Sequence, residues 1–223
     1  MKHQDDNQSL YVLLRDRIQS NIELKKALLN DVKYQDAVTN VALQIVDSLR
    51  AGGKVFFFGN GGSAADAQHL TAEFTGRYLK ERPALPALAL SVNSSSVTAI
   101  GNDYGYDLVF ARQLEALGKP GDVAVGISTS GNSPNVVRAL QVAKDRSIYA
   151  VALTGGSGGK MKTVADCTIC IPSNETPRIQ ECHILTGHII CEIAELMLSD
   201  DSSLAIQKDN LAEVPAARAQ KPR

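Results

Sequence analysis

Apolar residues over the first fifty positions recur at helical spacing. Leu10, Val12, Leu13, Leu14, Ile18, Ile22, Leu24, Leu28 and Leu29 mark a helix over residues 9–29. Val38, Val41, Ala42, Ile45, Val46 and Leu49 mark a second over 34–50, stopped by Ala51-Gly52-Gly53. From Lys54 the pattern changes. Short runs rich in Val, Ile, Leu, Ala and Phe at 54–58, 86–91, 122–127, 148–153 and 167–171 do not alternate cleanly, as expected of parallel strands covered on both faces. Between them the spacing predicts helices near 63–79, 94–101, 106–117, 133–146 and 158–165, and a final helix from about Pro177 to Leu198. Repeated strand, turn and helix predict an α/β fold: a doubly wound five-stranded parallel sheet flanked by helices, with N-terminal helices ahead of it. The two leading helices cannot both be crossovers, so some of their apolar surface must cover the sheet or meet another subunit. The expected division is 1–52 for those helices, 53–198 for the sheet domain and 199–223 for a flexible tail with little patterned apolar content.

Composition narrows the class. The 223 residues are 44% hydrophobic and 21% charged with formal net charge -1, which fits one globular domain and gives no broad electrostatic drive towards nucleic acid or an anionic membrane. No apolar run approaches the ~20 residues that span a bilayer. The N-terminus, MKHQDDNQSL, has no apolar signal core, which makes a cytoplasmic location the default. Cys167 and Cys170 form a C-x-x-C, but they lie in a predicted buried strand and no second such pair completes a zinc cage. Burial as small hydrophobes is the expectation for them, and a disulfide framework is not.

Candidate chemistry begins at the first turn. Gly59-Asn60-Gly61-Gly62-Ser63 follows the run Val55-Phe56-Phe57-Phe58 and opens a helix carrying His69 and Glu73. Four residues apart, an imidazole and a carboxylate share one helical face. They can clasp a divalent metal or divide proton donor and acceptor duties. The carboxyl ends of strands in an open α/β sheet are where ligands bind.

A second loop, Gly126-Ile127-Ser128-Thr129-Ser130-Gly131-Asn132-Ser133-Pro134, lies between a strand and a helix. Ser133 is placed as N-cap with Pro134 at the first helical position. One cap needs one hydroxyl, whereas Ser128, Thr129, Ser130 and Ser133 together with free helix amides make a site suited to phosphate. No G-x-x-x-x-G-K-[ST] or complete G-x-G-x-x-G is present, so a nucleotide site is poorly supported. Near the C-terminus Gln180, Glu181, His183 and His188 interrupt an otherwise apolar helix. His183 alone reads as a hydrogen-bonded core residue, and Glu181 as solvated or paired with Arg178. His188 can supply another nitrogen to the His69–Glu73 pair. Gln180 can orient a substrate hydroxyl or offer its amide oxygen to a metal. Gln180 and His188 are separated by ~12 Å of helical rise, which favours a site shared between subunits.

In order, GNGGSAADAQH-x-x-x-E, GISTSGNS and RIQE-x-H-x-x-x-x-H resemble the sedoheptulose 7-phosphate isomerase (phosphoheptose isomerase) family, whose fold is the sugar isomerase (SIS) phosphosugar-binding domain. The resemblance covers about residues 10–198, including Gly101-Asn102-Asp103-Tyr104-Gly105 and Leu153-Thr154-Gly155. It departs at the tail after Leu198 and at Ser91-Val92-Asn93-Ser94-Ser95-Ser96, where an aspartate-containing turn belongs to the pattern. The Ser/Thr loop alone marks only the broad domain, while the three motifs together are specific. The resemblance implies a homotetramer with active sites at subunit interfaces and one zinc per subunit. The implied substrate is a phosphorylated seven-carbon sugar: sedoheptulose 7-phosphate becomes D-glycero-D-manno-heptose 7-phosphate, the first step towards the ADP-heptose of lipopolysaccharide. It implies His69, Glu73, Gln180 and His188 as metal ligands. It implies Asn60, Gly61, Gly62, Glu73, Asn102, Asp103, Ser128, Thr129, Ser130, Ser133 and Gln180 as substrate contacts.

Such an isomerisation moves a proton between adjacent carbons through an enediol, with Glu73 as candidate base and His188 as candidate acid. Two other readings share the fold. DnaA initiator-associating proteins are tetrameric binding proteins, and the equivalents of Glu73 and His188 are missing from that pattern. A sugar-binding regulatory SIS domain would need the phosphate loop but no metal ligands. The presence of both residues favours the enzyme.

Overall fold

In the computed structural model, which describes residues 2–199 and side chains from residue 7, two helices lead the chain, α1 (Lys2–Leu29) and α2 (Val32–Arg50). There follow strand β1 (Val55–Gly59), helix α3 (Gly62–Thr75), strand β2 (Ala87–Ala89), helix α4 (Ser94–Tyr104), a 3-10 turn at Tyr106–Leu108 and helix α5 (Ala111–Leu117). Strand β3 (Val123–Ser128), helix α6 (Pro134–Asp145), strand β4 (Tyr149–Gly155), the one-turn α7 (Met161–Val164), strand β5 (Cys167–Ile171) and helix α8 (Thr176–Leu198) complete it. The expectation for the tail falls, apart from Ser199, outside the described residues.

The strands pair in the order β2-β1-β3-β4-β5, all parallel, as the non-alternating apolar runs predict. One face carries Val55, Phe57, Val125, Ile127, Val151 and Leu153 into a core shared with α2, α3 and α8. The other carries Phe56, Phe58, Ala124, Ala150 and Ala152 against α5 and α6. Each fully buried Phe contributes about 1.5–3 kcal/mol relative to exposure. From β1 the chain steps outward to β2, then returns to β3 on the other side of β1. The carboxyl ends of β1 and β3 therefore form a topological switch point, and the crevice there lies between the glycine turn and the Ser/Thr loop.

The first helix starts at Lys2 rather than residue 9, the one expected over 158–165 is the single turn Met161–Val164, and two others stop or break where the pattern would continue. The helix expected over 63–79 ends at Thr75, because residues 76–86 are drawn into a loop held by Arg82 and Glu195. The helix expected over 106–117 breaks after Leu108. The break lets Val109 and Phe110 both bury, with Phe110 stacked 5.5 Å from Phe58.

Candidate active site

Helices α3 and α8 run side by side in the same direction, so their residues meet in sequence order. The Gln180 amide lies over Gly62 at the start of α3, and Gly187 faces Leu70 further along. A methyl group at Gly187 would come within 2.5 Å of Leu70 Cδ2, so glycine there sets how closely the helices approach. That approach brings His69 Nε2 to 2.8 Å from His188 Nε2, while Glu73 Oε1 stands 3.3 Å from His69 Nε2. One ligand atom from each of the three lies within 4.8 Å of the others. The His69 side chain is 49% exposed and Glu73 19%, which leaves the trio partly open to solvent. The Tyr78 ring packs 5.7 Å from the His188 ring. Gln180 is not part of this cluster in one protomer: its amide sits near Gly62, seven residues and ~10 Å of rise before His69.

The Ser/Thr loop turns back on itself. Ser128 Oγ lies 2.9 Å from Ser133 Oγ and 3.5 Å from Ser130 Oγ, and Asn132 N donates to Ser130 Oγ at 3.2 Å. Ser133 occupies the N-cap position with Pro134 following, but its hydroxyl meets Ser128 Oγ across the loop; Asn135 Oδ1 takes the Val136 amide instead. Gly131 adopts φ +66°, and a methyl there would meet the Gly158 carbonyl oxygen at 2.2 Å. A cavity of about 280 Å³ extends from Thr129 and Ser130 past Gly155 to Ser173 and Asn174.

Asn60 joins the two loops. Its Nδ2 donates to Asn135 Oδ1 and its Oδ1 accepts from Asn135 Nδ2, both at 2.9 Å, and Tyr106 OH also donates to Asn60 Oδ1 at 3.2 Å. Gly61 supports the turn at φ +57°. Asn102 and Asp103 are exposed at the end of α4, where Asn102 Nδ2 donates to Asp103 Oδ1 at 2.8 Å. His183 is buried, with Nε2 3.1 Å from the Thr154 carbonyl oxygen. Burial pushes its imidazole down to about 4, against the opposing bond to Thr154. Glu181 pairs with Arg178. Cys167 and Cys170 are free and half-buried; three apart on β5, they point to opposite faces.

Sequence reasoning missed several participants. Asn135, in the first turn of α6, carries no sequence motif that marks its pairing with Asn60. Asp66 sits one turn before His69, where burial pushes its carboxyl up and the His69 imidazole acts the other way; its Oδ2 is buried without a hydrogen-bond partner. Arg82 and Glu195, an ion pair at 3.0 Å, brace the end of α3. A depression of about 620 Å³ at the amino ends of the strands, lined by Asp47, Tyr149 and Asp166, contains none of the candidate residues.

The SIS domain model matches residues 23–155. A phosphoheptose isomerase of Aneurinibacillus thermoaerophilus is 50% identical over 182 residues, 82% of this chain and 92% of that protein. The chain belongs to the phosphoheptose isomerase family of SIS-domain proteins. Two solved phosphoheptose isomerases share its fold. That of Neisseria gonorrhoeae is 41% identical with TM-score 0.79, covering 84% of this chain and 99% of that one. That of Francisella tularensis is 36% identical with TM-score 0.80, covering 83% and 98%. The SIS match stops at Gly155 and leaves α8, with Gln180 and His188, beyond it; similarity to phosphoheptose isomerases runs over a longer stretch.

Proposed function

We propose that this chain interconverts sedoheptulose 7-phosphate and D-glycero-D-manno-heptose 7-phosphate, the step that opens ADP-heptose synthesis for lipopolysaccharide. The observation that carries the reading is the convergence of His69, Glu73 and His188 from two helices, in a fold that also holds a hydroxyl cradle. In this substrate the reacting carbons C1 and C2 and the phosphate are at opposite ends of the chain. The hydroxyl loop, Asn60, the Gly62–Gln180 contact and the trio follow one another in the matching order.

The donors present fit zinc. Two imidazole nitrogens and a carboxylate oxygen are the set of a catalytic site that keeps a position open. His69, Glu73 and His188 would hold the ion, whose chemistry there is polarisation of the substrate carbonyl. Ser128, Thr129, Ser130 and Ser133 bind the phosphate through hydroxyls and the first amides of α6. Glu73 removes the proton from one carbon and returns it to the neighbour, while His188 moves a proton at the substrate oxygen. A carboxylate bound to a metal is a weaker base, so Glu73 would serve as base only to the extent that it is not held by the ion. Asn60, Gly61, Gly62, Asn102 and Asp103 are assigned to the sugar hydroxyls.

The trio is too open to exclude water by itself. A homotetramer in the cytoplasm, with active sites at subunit interfaces, would close it. The exposed Leu10, Leu14 and Ile18 of α1 give a neighbouring subunit an apolar stripe to cover. In that arrangement Gln180 would orient substrate beside Gly62 and could offer its amide oxygen to the metal of a neighbouring protomer. The non-catalytic SIS reading requires the trio to be incomplete, and it is complete here.

The test is turnover of sedoheptulose 7-phosphate before and after chelation. Activity that disappears with metal removal and returns with Zn²⁺ supports the reading; no turnover in either state overturns it.

A further inference from the structure

One buried ion pair lies apart from the trio and the hydroxyl loop and takes no part in the chemistry above. The Arg82 and Glu195 side chains are 3% and 2% exposed, with Nε and Oε1 3.0 Å apart. Removing two charges from water is repaid only when their remaining donors and acceptors are also used. Here they are used, and largely on one target. Glu195 accepts the amides of Tyr78 at 2.9 Å, Leu79 at 2.7 Å and Lys80 at 2.8 Å. Arg82 donates to the carbonyl oxygens of Glu73 at 2.6 Å, Phe74 at 3.0 Å and Gly76 at 3.2 Å. The carbonyls that close a helix lack partners within it. Arg82 therefore fastens α3 at the turn that carries Glu73.

Glu195 also stands seven residues after His188, two turns along the same face of α8. The loop it grips includes Tyr78, whose ring lies against His188. One clamp thus joins the end of α3, the end of α8 and the aromatic cover of the trio. Burial alone would push the Glu195 carboxyl up, but the amides of Leu79, Tyr78 and Lys80 and the Arg82 guanidinium outweigh it and hold the group below the usual carboxylate range.

We propose that Arg82 and Glu195 are positioning residues for the isomerisation, fixing the last turn of α3 so that Glu73 meets His69 and His188, and holding Tyr78 on the His188 ring. This rests on Glu73 and His188 being the groups that act. A pair that served stability alone would lower the melting temperature of its variants and leave the turnover of the folded fraction unchanged.

The experiment compares full-length Arg82→Lys, Glu195→Gln, Tyr78→Leu and Glu73→Gln with the parent protein. It measures kcat and KM for sedoheptulose 7-phosphate, folding by circular dichroism, and Zn²⁺ affinity by calorimetry on stripped protein. Arg82→Lys keeps a charge for Glu195 but loses the fork onto three carbonyls. Its kcat should fall about 100-fold with KM within about twofold of the parent. Its zinc affinity should fall about tenfold, as when a group supporting a ligand is lost. A folded Arg82→Lys with parental kcat and zinc affinity overturns the proposal, and so does a loss confined to KM. If the buried-pair variants do not fold, Tyr78→Leu decides: lowered kcat at constant KM supports the clamp, and parental kcat rejects it. Full activity in Glu73→Gln removes the catalytic reading and the proposal with it. An inactive Glu73→Gln beside an unimpaired, folded Arg82→Lys removes the positioning role alone.

Discussion

The Ser/Thr loop after β3, proposed above to hold phosphate, is made of backbone and short hydroxyls from one continuous stretch, whereas the trio is made of long side chains from two helices. In that loop Ser128 Oγ meets both Ser130 Oγ and Ser133 Oγ, and Gly131 fits a space that admits no side chain. The loop carries most of its own shape. His69, Glu73 and His188 have no such local frame. Their meeting depends on the close approach of α3 and α8 at Gly187 and on the buried brace at the end of α3. The two regions should therefore fail differently. Damage to the cradle should weaken capture of the sugar phosphate, and damage to the trio should slow chemistry on sugar already bound.

The largest effect belongs to Glu73→Gln, which keeps shape and removes the proposed base. Its kcat should drop about 10³-fold with KM little changed. Steady-state assays check this; a variant that loses affinity while keeping kcat would erase the distinction between the two ends.

Second in size is the acid response of His183, which ties the regions together by bonding the end of β4 from within α8. Its folded value of about 4 lies below the ordinary 6.5, so the unfolded chain takes up the proton first. The contribution is fully present above pH 6.5 and is lost as the pH falls towards 4, by at most about 3 kcal/mol. Urea unfolding of the parent and His183→Gln at pH 7.5 and 4.5 measures it. The parent should lose more stability than the variant over that interval, and equal losses would show that this imidazole does not carry the response.

Ser130→Ala should show the smallest change. A hydrogen bond to a charged group contributes about 1.5–3 kcal/mol, which sets a rise in KM of about tenfold or more at nearly constant kcat. An unchanged KM would move the phosphate elsewhere.

Local signals were readable from the sequence and tertiary ones were not. Five apolar runs gave all five strands because a parallel sheet buries both faces. His69 and Glu73 declared themselves because four-residue spacing is a property of one helix. The Ser/Thr cluster stood out because it exceeds what a helix cap needs, although the Ser133 hydroxyl meets Ser128 Oγ across the loop instead of capping α6. Arg82 and Glu195, in contrast, are 113 positions apart. One reads as an ordinary loop cation and the other as a stray acid on an apolar helix. Their pairing also explains why α3 stops before its pattern does: the carbonyls that would continue the helix are taken by a guanidinium. Gly187 reads as a weak helix position until Leu70 fills the space above it.

Between them, the amides of Asn60 and Asn135 each give one hydrogen bond and take one. An aspartate in place of either would set oxygen against oxygen in one of the two contacts, though its size and shape would be almost the same. Neither position is free to drift by itself, even though one belongs to the glycine turn and the other to the helix behind the hydroxyl loop. The two loops are linked as a matched pair, and a change that suits one must be answered in the other.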